Sequence, residues 1–337
     1  LFQTLAPPEE SMRVLPRAVA ATVALAATAG AVSAQSIDPS TYEATIGVGE
    51  TITINKTITL GAAGATTVDV FFLADNTGSM GGIIGNAQAG AEAILDGLPG
   101  TYRFGVGQYN SDPCEDATPS CSFLGSGTSP YYGEDQALTF DKTDVEDAID
   151  TWAASGGGDT PEGNFFALKE VSETADWRPE AQRLVVWFGD ARSHTTTVSE
   201  SEAIDALVAA DAKVIAFNSG LGGTGIDQFG QASNIVAGAG GTLVNSFRFL
   251  TGSAFVDAVT GEIEEATSTL DLFFASTYAG TGLDISFTCT DALGCDAVGG
   301  GESRTFDVTI TGVEAGTYDF EVFARGVDAR EIDRITV

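Results

Sequence analysis

Two runs, VDVFFLAD at 68–75 and RLVVWFGD at 183–190, are apolar almost without a break, and each stops at an acid. Such strands fit a parallel sheet covered by helices on both faces, because a sheet with one wet face alternates polar and apolar side chains. Further strand candidates lie at 102–109, 136–141, 213–218 and 242–247. Between them Ile84, Ala87, Ala91, Ile94 and Leu98 recur at helical spacing, as do Val145, Ala148, Ile149 and Trp152, and later Phe255, Val259 and Ile263. The alternation predicts a doubly wound, mostly parallel α/β domain over 67–267, with ligands gathering beyond the carboxyl ends of its strands.

The flanks carry another period. Ile52, Ile54, Ile58 and Leu60 on one side, and Phe306, Val308, Ile310, Tyr318, Phe320 and Val322 on the other, alternate with period two and predict half-buried antiparallel strands. Neither flank offers enough strands to close a sandwich alone. The expectation is that 35–66 and 268–337 pair with each other, so that the α/β domain is inserted in an antiparallel β-sandwich. The rival is an α/β domain followed by an independent carboxyl-terminal sandwich.

Residues 12–34 carry Arg13 and Arg17, then an alanine-rich apolar stretch, then Val32 and Ala34 before Gln35. This is the pattern of a secretory signal peptide, cleaved after Ala34, and the apolar run is short for a transmembrane span. Met12 is the first methionine, so 1–11 are read as preceding the true start of a leader that covers 1–34. The reading places the mature protein outside the cell or at its surface, extracellular or periplasmic, with no transmembrane segment. The leader holds two acids and two arginines, so its loss leaves the net charge at −32. Nucleic acid is excluded as a partner, since phosphate binding needs a basic surface. Four cysteines form two local pairs, Cys114 with Cys121 and Cys289 with Cys295, which in an exported chain read as two small disulfide loops.

Beyond the first strand, Asp75, Thr77 and Ser79 sit on a turn whose glycines, Gly78, Gly81 and Gly82, let side chains crowd one point. Two further loops at the same edge of the expected sheet add oxygen donors: GGGDTPEG supplies Asp159, Thr160 and Glu162, and FGDARSH supplies Asp190. Hydroxyls and carboxylates gathered in this way suit a hard divalent cation.

D-x-T-x-S with the two later loops resembles the metal-ion-dependent adhesion site of a von Willebrand factor type A domain, a Rossmann-like fold, and is most similar to the I-like domain of integrin β subunits. The closer likeness rests on Ser79-Met80, the 159–163 turn Asp-Thr-Pro-Glu-Gly, the spacing from Trp177-Arg178 to Asp190-Ala191 and His194, and the six-residue loop between Cys114 and Cys121. The resemblance implies metal contacts from Thr77, Ser79 and Glu162, with Asp75 and Asp190 acting through waters and hydrogen bonds. It implies Mg²⁺, with Mn²⁺ or Ca²⁺ as alternatives, and an open position for an Asp or Glu of a protein or glycoprotein partner. Gly82 and Ile83 stand where integrin β subunits carry an acidic pair, so the adjacent regulatory cation site is expected to be missing. A second neighbouring site is half kept, by Asp112, Asp159, Pro161 and Glu162, with Gly157 in place of the usual asparagine.

Blander readings stand beside these. Asp75 alone would cap the next helix, and Pro161 with Glu162 would start one. Tyr131 and Tyr132 either meet a ligand at the rim, as Thr160 would, or pack beneath their loop. His194 has no G-x-S-x-G or H-E-x-x-H partner pattern, so no catalytic residue is assigned and the chain is read as a binding module, not an enzyme. The alternatives are a matrix or coat protein whose ion only stabilises the fold, and a metal-dependent hydrolase.

Overall fold

The computed structural model describes residues 35–61, 67–110, 132–156, 161–220, 224–245, 247–327 and 330–337. The chain opens with three strands, β1 (Ser36–Asp38), β2 (Thr41–Thr45) and β3 (Thr51–Thr59). It then enters a doubly wound unit built of β4 (Val68–Asp75), α1 (Gly81–Gly97), β5 (Arg103–Tyr109), β6 (Tyr132–Thr139), α2 (Lys142–Asp150), α3 (Asn164–Thr174), β7 (Gln182–Gly189), α4 (Glu200–Ala210), β8 (Ala212–Asn218), α5 (Gln231–Ala239), β9 (Gly241–Val244) and α6 (Ser253–Ser268). It closes with β10 (Thr269–Leu270), β11 (Phe274–Ser276), β12 (Leu283–Cys289), β13 (Val298–Gly299), β14 (Ser303–Gly312), β15 (Thr317–Ala324) and β16 (Arg330–Thr336).

The central sheet has six strands in the order β6-β5-β4-β7-β8-β9. All its pairings are parallel except β5 with β6. Every residue of β4 is buried, because α1, α2 and α6 cover one face and α3, α4 and α5 the other. Val70 and Phe72 point to the first layer and Phe71 and Leu73 to the second. Phe255 of α6 packs among Phe188, Phe217 and Phe247, a burial worth about 2 to 3 kcal/mol that holds the last helix down. Helix starts follow local chemistry: Ser199 and Glu202 form a reciprocal capping box on α4, and Asp141 accepts from the Thr143 amide at the start of α2.

Two expected strands differ in extent. The segment expected at 136–141 begins at Tyr132 and ends at Thr139, as the antiparallel edge strand β6, and its last residues give way to the α2 cap at Asp141. The strand expected at 242–247 stops at Val244. Apolar periodicity does not single out α3, α4 and α5: on α4 the buried residues are largely alanine and on α5 they are Gln231, Ala232 and Ile235, a weak signal.

The flanks form two four-stranded sheets, β1-β3-β14-β12 and β11-β15-β16-β2. Each contains strands from both ends of the chain: β3 runs antiparallel to β14 from Thr51↔Thr311 to Thr59↔Ser303, and β2 pairs parallel with β16. Their inner faces meet through Ile54, Ile58, Val308, Ile310, Phe320, Val322 and Ile335. The α/β unit is thus inserted between β3 and the later strands of this sandwich. Cys289 and Cys295 form a disulfide beside it. Cys114 and Cys121 lie outside the described residues, and no helix among the described residues is long and apolar enough to cross a membrane.

Candidate metal centre

The carboxyl ends of β4, β5 and β7 meet at one edge of the central sheet. Asp75 is the last residue of β4 and is fully buried. Its Oδ1 accepts from the Thr77 amide at 2.8 Å, which folds the turn back on the strand end. The Thr77 and Ser79 hydroxyls lie 3.2 Å apart, and Ser79 Oγ donates to Asp190 Oδ1 at 2.8 Å. A continuous polar chain therefore runs from Asp75 through two alcohols to Asp190, which follows β7 directly. Met80, fully buried, plugs the turn from beneath, where its sulfur meets the Ser219 hydroxyl at 3.4 Å.

Glu162 arrives from a different direction. It is buried, and its backbone bridges to the loop after β7: its amide donates to the Arg192 carbonyl, and the His194 amide donates to its own carbonyl, both at 2.8 Å. Gln231 at the start of α5 fixes the same loop, accepting from the Ser193 amide at 2.7 Å. The 161–163 segment is tied to β5 through the Gly163 amide and the Asn110 carbonyl, 2.7 Å apart. Asn110 Nδ2 donates to Asn76 Oδ1 at 2.9 Å, linking the β4 and β5 ends.

Asp75, Glu162 and Asp190 all act on one hydroxyl, that of Tyr109. Burial raises the Tyr109 pKa far above its ordinary value, Asp75 adds to the rise, and Glu162 and Asp190 contribute further. Tyr109 is held between the Trp187 indole N–H, 2.9 Å away, and the Phe188 carbonyl at 3.2 Å. Gly189 makes room for it, since a Cβ there would lie 2.5 Å from the Tyr109 oxygen and 2.6 Å from Ile226. Sequence reasoning misses Tyr109, Asn76 and Asn110 as parts of the site. Their one available signal is position, because Tyr109 and Asn110 end a strand at the same edge as Asp75.

The electrostatics of the turn are those of an anion short of a counter-charge. Burial pushes the Asp75 carboxyl up to about 7; the Thr77 hydroxyl and amide pull it down, and Asp190 adds to the rise. Among the described residues Asp75 Oδ2 is buried with no hydrogen-bond partner. A carboxylate oxygen in that state costs free energy unless a proton or a cation meets it. Two alcohols, one buried carboxylate and a second carboxylate at the rim make a hard-oxygen donor set, which fits Mg²⁺ or a similar divalent ion. No three His, Cys, Asp or Glu side chains form a ready cage among the described residues, so the hydroxyls are needed to complete any such set.

Of the other expected site residues, Pro161 is half-buried next to Glu162, while Asp112, Asp159, Thr160 and Tyr131 lie outside the described residues. Tyr132 is half-buried at the start of β6 and packs against the apolar layer shared with α3.

The chain is similar to von Willebrand factor type A structures. One, a von Willebrand factor type A protein from Catenulispora acidiphila, is 15% identical, with a TM-score of 0.45 over 89% of this chain and 71% of that one. Proximal thread matrix protein 1 from the mussel byssus is 17% identical, with a TM-score of 0.43 over 63% of this chain and 50% of that one. A form of that mussel protein with a zinc-occupied MIDAS motif is 16% identical at a TM-score of 0.41, over 64% of this chain and 47% of that one. The chain thus spans about half the length of the mussel protein. With TM-scores below 0.5, these likenesses add nothing to the strand order and donor set described above. No family model matches the sequence, and no curated protein matches it.

Proposed function

We propose that this chain is an exported, divalent-cation-dependent binding module, whose α/β domain over 67–267 presents a metal at the rim of its sheet to a partner's carboxylate. The observation that carries the reading is the Asp75-Thr77-Ser79-Asp190 chain, which among the described residues ends on a buried carboxylate oxygen without a hydrogen-bond partner. Thr77, Ser79 and the Glu162 carboxylate would hold the ion, with Asp75 and Asp190 orienting the hydroxyls. Mg²⁺ is the favoured ion, and when bound it supplies a Lewis-acidic position for one more oxygen. Ser79 is exposed and Asp190 half-exposed, so the site faces outward and a partner's Asp or Glu can reach it.

Docking, rather than turnover, is the reading that the described residues of the site favour. His194 engages Glu162 through its backbone amide, and the hydroxyls of Thr77 and Ser79 meet each other and the Asp190 carboxylate, which orients them. Docking needs only the ion and access to it.

The test is titration calorimetry of residues 35–337 with Mg²⁺, Mn²⁺ and Ca²⁺, followed by partner capture in Mg²⁺ with release by chelator. Uptake that is lost in Asp75→Ala, together with chelator-sensitive capture, is expected. No uptake at millimolar ion, or capture indifferent to chelator, sinks the reading. Metal uptake that raises the melting temperature with no partner captured would favour a purely stabilising ion.

A further inference from the structure

The apolar inner row of β3 is interrupted once. Lys56 stands between Ile54 and Ile58, opposite Phe306 of β14, with no exposed surface. Facing it from the other sheet are Glu331 and Asp333 of β16, which pair with Val322 and Phe320 of β15. The side chains of all three are fully shielded from solvent. Burying one ammonium and two carboxyls among isoleucines and phenylalanines carries a desolvation penalty that their mutual attraction offsets only in part. A salt bridge of this kind is a weak way to stabilise a small sandwich.

The geometry favours more than attraction. Lys56 Nζ is almost equidistant from the two Asp333 oxygens, at 3.3 Å from Oδ1 and 3.2 Å from Oδ2, a pose facing both oxygens from which rotation of the carboxyl group about Cβ–Cγ turns the face of its carbon toward the nitrogen. Glu331 Oε1 touches the same nitrogen without hydrogen-bond geometry, and among the described residues neither Glu331 oxygen has a hydrogen-bond partner. The Tyr42 amide steadies Asp333. Burial pushes the Glu331 carboxyl up to about 7 against the pull of Lys56, with Asp333 and Asp38 adding to the rise. Burial also raises Asp333. Below about pH 7 Glu331 therefore keeps a proton, which leaves one carboxylate against the single lysine charge.

We propose that Lys56 and Asp333 join through an amide bond between Nζ and Cγ, with Glu331 as the proton carrier, so that β3 and β16 become covalently linked across the sandwich. The proton held by Glu331 first passes to Asp333, and Glu331 then takes one proton from the lysine ammonium. The nitrogen lone pair then attacks Cγ. The C–N bond forms, the C–OH bond breaks, and Glu331 passes a proton to the departing hydroxyl while accepting another from nitrogen. One ammonium, one carboxylic acid and one carboxylate give one amide, one water and one protonated Glu331, with no oxidant or activated donor required. In water hydrolysis competes with such a condensation. Here the reactants are held at contact distance, water is excluded, and the product removes a buried ion pair. Asp333 is the acyl partner because the nitrogen addresses both of its oxygens, whereas it touches only one of Glu331.

Mass spectrometry of the folded, purified 35–337 chain in denaturant decides this. The expected mass falls short of the sequence by one water, beyond the hydrogens lost to disulfides. Trypsin fails to cut after Lys56, and tandem spectra contain a peptide bearing Lys56 joined to Asp333. Glu331→Gln keeps the shape and stays folded by circular dichroism, yet retains the full mass, as does Asp333→Ala. A folded wild-type chain that is cut after Lys56 and has full mass overturns the proposal, as does a cross-link ending on Glu331. Equal cross-linking in Glu331→Gln removes Glu331 from its role. Should Asp333→Ala not fold, the wild-type peptide map decides alone.

Discussion

Replacing Asp75 by Asn removes one buried charge with almost no change of shape, and its effect can be worked out in advance. In the metal-free protein burial raises the Asp75 pKa from 3.8 to about 7. Between those values the native state keeps a proton that the unfolded chain has released. Stability therefore falls as pH rises through the window from about 4 to 7, and is level above it. Three pH units at about 1.4 kcal/mol each give a loss of about 4 kcal/mol at pH 8 relative to pH 4. Asn cannot ionise, so Asp75→Asn should flatten that part of the curve and make the chelated protein up to about 4 kcal/mol more stable than wild type at pH 8. Glu331, also pushed up to about 7, adds a decline of the same sign to both proteins, which the subtraction removes. Urea melts at pH 5, 6, 7 and 8 in chelator and in excess Mg²⁺ measure this. Magnesium should stabilise wild type, by about 2.7 kcal/mol at a hundredfold excess over its dissociation constant, and leave the variant unmoved. Parallel pH curves for the two proteins, in chelator and in magnesium alike, would refute the idea that Asp75 is a buried anion awaiting a cation.

Ser79→Ala should weaken Mg²⁺ uptake by about tenfold or more in calorimetry, because it deletes a hydroxyl that also orients Asp190, while melting without metal barely changes. Asp69→Ala should cost about 3 to 5 kcal/mol in urea unfolding, since the buried carboxylate holds both Arg103, at 2.8 Å, and Arg178, at 2.7 Å. Gly189→Ala should cost about 1 to 3 kcal/mol and disturb Tyr109, read as a shift in its near-ultraviolet dichroism, because the added methyl has nowhere to go.

How far the chain could be read in advance follows from what each segment has to bury. β4 and β7 were legible because both of their faces are covered, which forces continuous apolar runs. β6 was displaced because an edge strand with exposed Glu134 does not carry that signal. Lys56 is not legible in advance although the period-two row 52, 54, 58, 60 skips it, since a lone lysine at an inner position has meaning only with Glu331 and Asp333 opposite. At the candidate site the residue types were legible from D-x-T-x-S and the strand ends. That Asp75 is fully enclosed, and that Tyr109 and Asn110 knit the neighbouring loops, depends on long-range packing that no local spacing encodes.

The pairing of β3 with β14 joins Thr51 to Thr311, partners 260 positions apart. A ribosome making this chain releases the whole α/β unit before it supplies the second half of the sandwich, so the amino-terminal strands must wait with their edges bare. Assembly of the two sheets therefore waits on the strands that follow α6, and any stall in synthesis there leaves a finished sheet-and-helix unit carrying an orphaned, aggregation-prone ribbon.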